Sequence, residues 1–149
     1  MLSAETHVFS ELFLHFNWHC YLNRELITPA VEPLLFKYIA EYVDGIKGAK
    51  FFGIGGTETH VHMIAQLEPH WAPAEFVGKV KGVSSHEMNK QLGADTLRWQ
   101  RGYGVVSFAL RDISSVQRYV ANQREHHARE TTNIKLETVG FEETDSNEN

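Results

Sequence analysis

Two strand-forming runs, Lys50 to Gly55 and His60 to Leu67, are separated only by the few residues around Gly55-Gly56-Thr57. A link that short joins antiparallel neighbours, because parallel strands need a crossover of a dozen residues or more. The rest of the chain has to be arranged around this hairpin. Upstream, from Ser10 to Cys20, Leu12, Leu14, Phe16 and Trp18 alternate with Phe13, His15, Asn17 and His19, the two-residue period of a strand. A helix follows, with Thr28 as N-cap and Pro29 at its first position. Its apolar residues Val31, Leu34, Leu35, Tyr38, Ile39 and Tyr42 recur at helical spacing, and Gly45 and Gly48 mark its end. Downstream of the hairpin, Pro73 opens a helix to about Asn89, and Gly102 to Leu110 reads as a fourth strand. Asp112 or Ser114 then caps a last helix running to about His127.

The first six elements alternate as strand, helix, strand, strand, helix, strand. That order predicts an α+β fold: a ferredoxin-like split βαβ antiparallel sheet, two helices on one face, and an additional C-terminal helix. At 149 residues the chain fits one domain with a core of its own. The folded part is expected over residues 1–130. Residues 131–149 are expected to form an acidic tail, partly disordered, where Glu142, Glu143, Asp145 and Glu148 gather without periodicity.

Composition narrows the class of function. The single cysteine, Cys20, excludes an internal disulfide and points to a reducing cytoplasm. No run is long and apolar enough to span a bilayer, and the first residues lack the features of a signal peptide. The formal net charge of −5 runs against nucleic-acid binding, yet Lys79, Lys81, Lys90, Arg98 and Arg101 concentrate positive charge mid-chain.

Two short patterns carry chemistry. In a strand, residues two apart face the same way, so His60 and His62 project side by side and can share a divalent metal. In a helix, residues four apart share a face, which places Tyr119 and Gln123 one turn apart. A tyrosine held near a metal-bound phosphate can act as a nucleophile. Taken alone, each pattern is better explained by ordinary polar surface or core packing.

Together they resemble a known family. His60-Val61-His62 within Gly55-Gly56-Thr57-Glu58-Thr59-His60-Val61-His62 is similar to the histidine strand of the single-tyrosine HUH transposases of the insertion-sequence 200/605 type, including the REP-associated tyrosine transposases. Lys81-Gly82-Val83-Ser84-Ser85 resembles that family's second-helix signature, and Trp99-Gln100-Arg101-Gly102-Tyr103-Gly104 the lead-in to its fourth strand. The run from Tyr119 to His127 resembles its nucleophile helix. The matches keep the family's order and cover roughly Phe13 to Glu130.

The resemblance implies that Tyr119 is the nucleophile and that His60, His62 and Gln123 hold Mg²⁺ or Mn²⁺. It implies cleavage and rejoining of single-stranded DNA marked by a hairpin, through a 5′-phosphotyrosine. It also implies a homodimer with composite active sites, the link to the nucleophile helix lying within Leu110 to Ser115. Lys79, Lys81, Arg98 and Arg101 become candidates for contacts to the DNA backbone, while Trp18, Trp99 and Tyr103 fit core positions better than base-stacking ones. Two other readings compete. One is a domesticated protein that binds nucleic-acid hairpins without transposition. The other is an unrelated metallohydrolase in which Glu58 joins His60 and His62.

Overall fold

A computed structural model describes residues 7–140. Four strands, β1 (Phe13–His19), β2 (Ala49–Gly56), β3 (His60–Leu67) and β4 (Gly104–Phe108), form one antiparallel sheet in the order β2-β3-β1-β4. This is the α+β split βαβ arrangement that the element order predicts. Helix α1 (Glu32–Asp44) connects β1 to β2, and α2 (Pro73–Leu92) connects β3 to β4. Three further helices follow β4: α3 (Ile113–Ala121), α4 (Gln123–Ala128) and α5 (Ile134–Glu137). Among the described residues no helix is long and apolar enough to cross a membrane.

The main core lies between one sheet face and α1 and α2. Phe16 and Trp18 of β1 and Val61, Met63, Ala65 and Leu67 of the hairpin meet Leu35, Ile39 and Val43 of α1 and Phe76, Val77, Val80 and Met88 of α2. Trp18 and Trp99 pack edge to face inside this layer. Burial of such large side chains is the dominant stabilising term, about 1.5–3 kcal/mol each.

Alternation alone suggests a sheet with one wet face, but Phe13, His15 and Asn17 of β1 are buried as well. The segment after β4 explains this. Helix α3 lies along β2, and α5 lies over β1 and β4. The second face of the sheet therefore carries a polar layer that is nonetheless closed to water.

Several element boundaries differ from the sequence reading. Helix α1 starts at Glu32, not at Pro29. Thr28 still caps its approach, its carbonyl and hydroxyl accepting from Val31 N–H, but Pro29 sits in a turn before the helix. The final helix is not continuous to His127. It breaks at Asn122, which has non-helical dihedrals, so α3 ends and α4 begins there. Gly55 and Gly56 belong to β2, and the hairpin turn is Thr57 to Thr59. Both glycines answer a steric demand: a Cβ on Gly55 would lie 1.9 Å from the Val120 carbonyl oxygen, and one on Gly56 would lie 2.2 Å from that of His60. Residues 131–140 do not trail away either, and α5 brings Leu136 into a buried position. The acidic positions Glu142, Glu143, Asp145 and Glu148 lie outside the described residues.

Candidate active site

On the second face of the sheet β3 presents His60 and His62, as the strand period requires. Both are buried. The sheet register sets Asn17 opposite His62 and His19 opposite His60, which makes His15 the diagonal neighbour of His62. His15 Nε2 lies 2.8 Å from His62 Nδ1. His60 Nδ1 is held by the hydroxyls of Thr57 at 2.9 Å and Thr59 at 3.1 Å. In each histidine the Nδ1 atom is thus engaged by the protein, and Nε2 points to a common centre.

Two elements close over that centre from opposite sides. Helix α3 comes from the β2 side, where the space left by Gly55 admits its backbone and Gln117 donates to the Phe52 carbonyl at 2.8 Å. It carries Tyr119, whose ring meets that of His62 edge to face at 6.0 Å. From the β1–β4 side comes α5 with Glu137. Glu137 Oε1 is 3.3 Å from His60 Nε2, 3.1 Å from His62 Nε2 and 3.1 Å from His127 Nε2. The other oxygen, Oε2, accepts a hydrogen bond from the Tyr119 hydroxyl. The same hydroxyl accepts from the Asn133 N–H at 2.9 Å.

The electrostatics follow from this enclosure. Burial pulls His62 down to about 4, against the pull of Glu137, so the imidazole is neutral at pH 7. His15 falls further, to about 3, through burial and the neighbouring His62. Burial and the bond to Glu137 push Tyr119 up to about 12. For Glu137 burial acts to raise the carboxyl, but His60, His62 and the Tyr119 hydroxyl outweigh it and hold the group well below the usual carboxylate range. Among the described residues, His60, His62, His127 and Glu137 form a group whose ligand atoms all lie within 4.8 Å of one another. His60 Nε2 is buried without a hydrogen-bond partner and faces a carboxylate oxygen, a mismatch that a bound cation resolves. The donor set therefore fits a divalent metal.

Gln123 is buried beside this group. Its amide nitrogen donates to the Tyr119 carbonyl at 3.1 Å, and its oxygen is 3.2 Å from His127 Nε2. Glu58, the carboxylate that the hydrolase reading requires, is not in the group. It lies in the hairpin turn, 3.2 Å from Arg124 Nε. A cleft of about 620 Å³ opens beside His60, bounded by His19, Asn23, Thr57, Glu58, Arg124 and His127.

With this geometry in place, the family model described as "Transposase IS200 like" matches residues 8–123. The chain belongs to the IS200-like transposase family. Membership makes it a transposase, an enzyme that cleaves DNA. Two solved structures share its fold. One is a protein from Deinococcus radiodurans R1, assigned as a transposase, with 20% identity over 83% of this chain and 98% of the other and a TM-score of 0.62. The second is a REP-associated tyrosine transposase bound to a REP hairpin, with 11% identity over 97% of this chain and 98% of the other and a TM-score of 0.56. No curated protein matches the chain.

The basic candidates of this transposase are not equivalent. Lys79 on α2 and Arg98 and Arg101 near β4 are exposed. The Arg98 guanidinium lies 3.7 Å over the Tyr21 ring. Lys81 is turned inward: its ammonium donates to the carbonyls of Gln100 at 2.7 Å and Gly102 at 3.0 Å, and burial pulls it down to about 8. Lys81 anchors the approach to β4 and is not placed to reach a phosphate. Trp18, Trp99 and Tyr103 contribute to the core or pack against it.

The residues that sequence reasoning missed are Glu137, the hydroxyls of Thr57 and Thr59, and His15. Asn133, an N-cap whose side chain accepts from the Lys135 and Leu136 N–H groups, is the one local signal of the helix that carries Glu137.

Proposed function

We propose that this transposase cleaves and rejoins single-stranded DNA at hairpin-marked ends, with Tyr119 as nucleophile and a divalent metal, Mg²⁺ or Mn²⁺ in the simplest form, held at His60 and His62. The observation that carries the reading is the convergence of Tyr119 with two buried, pre-oriented imidazoles over β3. When bound, the cation supplies Lewis-acid stabilisation of charge on the phosphate and orients it. Tyr119 Oη attacks phosphorus, forming the 5′-phosphotyrosine as the bond from phosphorus to the 3′ oxygen breaks. The Tyr119 hydroxyl proton passes by way of Glu137 Oε2, to which it is already hydrogen-bonded, to the departing 3′ oxygen, which leaves as a hydroxyl. Because the new ester resembles the broken one in energy, a 3′-hydroxyl can reverse the step and join new DNA.

The cleft beside His60 offers room for a nucleotide next to the scissile phosphate, with Arg124 at its wall. The REP-hairpin complex of the structural neighbour supports a hairpin as the DNA partner here. Lys79, Arg98 and Arg101, all exposed, are candidates for contact with the DNA backbone. A cytoplasmic location, where the DNA is, agrees with the single buried cysteine, Cys20.

The test is a denaturing gel of the protein with labelled single-stranded hairpin DNA and Mn²⁺, beside Tyr119→Phe and a chelator control. A slow, protease-sensitive band should form with wild type and drop by at least about a thousandfold in both controls. Cleavage that persists in Tyr119→Phe overturns the tyrosine mechanism in favour of a hydrolase. Hairpin binding with no adduct on any of several hairpins favours the domesticated binder.

A further inference from the structure

We propose that the metal centre of this chain is completed by His127 and Glu137, giving a site of three imidazoles and one carboxylate rather than two histidines and Gln123. The inference rests on the proposed function for the two β3 histidines and adds the other two ligands.

Four observations converge on it. First, a single oxygen, Glu137 Oε1, is faced at 3.1–3.3 Å by the Nε2 atoms of His60, His62 and His127. Three ring nitrogens and a carboxylate oxygen gathered this closely are a coordination sphere in composition. Second, the far side of each β3 imidazole is held by a partner, Thr57 and Thr59 for His60 and His15 for His62. Partners of this kind fix ring orientation and tautomer in metal sites.

Third, Glu137 is placed by dedicated structure. Buried Asn17 donates from Nδ2 to the carbonyls on either side of it, Leu136 at 2.9 Å and Thr138 at 3.1 Å. Gly104 leaves the room, since a Cβ there would lie 2.0 Å from the Thr138 oxygen. A segment clamped by a buried amide and admitted by a glycine does not reach the histidines by accident. Fourth, the Gln123 amide nitrogen donates to the Tyr119 carbonyl, and its oxygen lies 3.2 Å from His127 Nε2, beside the four ligand atoms. His127 is partly exposed at the mouth of the cleft, so an ion can enter from solvent.

The donor set decides the metal. Imidazole-rich sites favour Co²⁺, Ni²⁺ and Zn²⁺, whereas Mg²⁺ takes oxygen ligands and keeps its waters. The site therefore selects transition ions over Mg²⁺. A phosphate oxygen would enter as a further ligand beside these four.

The experiment is titration of the metal-stripped full chain with Co²⁺, Zn²⁺, Mn²⁺ and Mg²⁺ alone, followed by calorimetry and, for Co²⁺, by its visible absorption. Wild type should bind one Co²⁺ or Zn²⁺ per chain at least about a hundredfold more tightly than Mg²⁺. His127→Ala and Glu137→Ala should each weaken Co²⁺ by about tenfold or more and change its spectrum, while Gln123→Ala changes affinity by less than about threefold. Glu137→Gln, which keeps the shape of the side chain, should weaken binding as well, and circular dichroism checks that each variant is folded. Affinities within threefold of wild type in folded His127 and Glu137 variants overturn the proposal. His60→Ala separates the two levels. If it abolishes binding while the other variants do not, only the four-ligand site fails. If it too leaves binding intact, the metal role of the β3 histidines in the proposed function fails with it.

Discussion

Burial favours the neutral form of an imidazole, and on β1 and β3 two buried imidazoles, His15 and His62, are joined end to end. In the bond between His15 and His62 one nitrogen donates and the other accepts, and the choice decides what His62 offers on its opposite side. For Nε2 of His62 to present a lone pair to a cation, its Nδ1 must carry the proton and donate to His15 Nε2. His15 is then the acceptor that keeps His62 in the ligating tautomer, and its own Nδ1 has no partner among the described residues. Replacing it with Phe removes the acceptor and keeps a planar ring of similar breadth. We expect His15→Phe to weaken metal binding by about 10- to 100-fold, as loss of a partner behind a ligand commonly does. A Mn²⁺ titration followed by its electron paramagnetic resonance signal measures this directly. Unchanged affinity would show that the His15 contact is packing alone.

At the scale of elements, the site depends on how closely α3 can approach β2. The contact runs through backbone, with the Val120 carbonyl in the space that a side chain on Gly55 would fill. Gly55→Ala must push the helix away by most of an ångström or more, at a stability cost of about 1–3 kcal/mol. Tyr119 moves with it, and a misplacement of about 1 Å lowers a positioned reaction by about a hundredfold. The expected result is a folded protein with a slightly lower melting temperature and adduct formation reduced by about that factor. Wild-type cleavage rates in Gly55→Ala would mean that the helix has slack the structure does not show. Gly55 also illustrates what was legible in advance. The sequence placed it next to the hairpin and beside the histidine strand, and assigned it to a turn, because a glycine pair before Thr57 has the composition of one. Its actual demand comes from a helix some 65 residues downstream, and no local pattern encodes that. The strands, α2 and the pair His60 and His62 could be read because their period is their signal. Glu137 could not, since α5 is a single turn in a polar stretch and a lone acidic residue there has no period to betray it. The second buried face of β1 was hidden for the same reason: Phe13, His15 and Asn17 look like an outward row until α5 and α3 are laid over them.

For the whole molecule the question is which chain supplies which part. Tyr119, His60, His62, His127 and Glu137 meet here within one chain, and the segment Leu110 to Ser115 includes a short 3-10 turn at Leu110–Asp112 that leads directly into α3. A homodimer that exchanges α3 would put Tyr119 of each chain beside the histidines of the other, as the family resemblance implies. The two arrangements predict opposite outcomes when two inactive variants are mixed. Tyr119→Phe retains the histidines and His60→Ala retains the proposed nucleophile, so exchange rebuilds one complete site in a mixed dimer. Without exchange no chain in the mixture holds both. The fit of α3 against Gly55, the Gln117 bond to Phe52 and the clasp of Tyr119 by Asn133 and Glu137 all tie the helix to its own sheet. We therefore expect no recovery of the phosphotyrosine adduct on mixing, at any protein ratio, under conditions in which wild type reacts. Recovery toward a quarter of wild-type activity in an equimolar mixture would instead require a shared site, because random pairing makes half the dimers mixed and each mixed dimer holds one intact site of two.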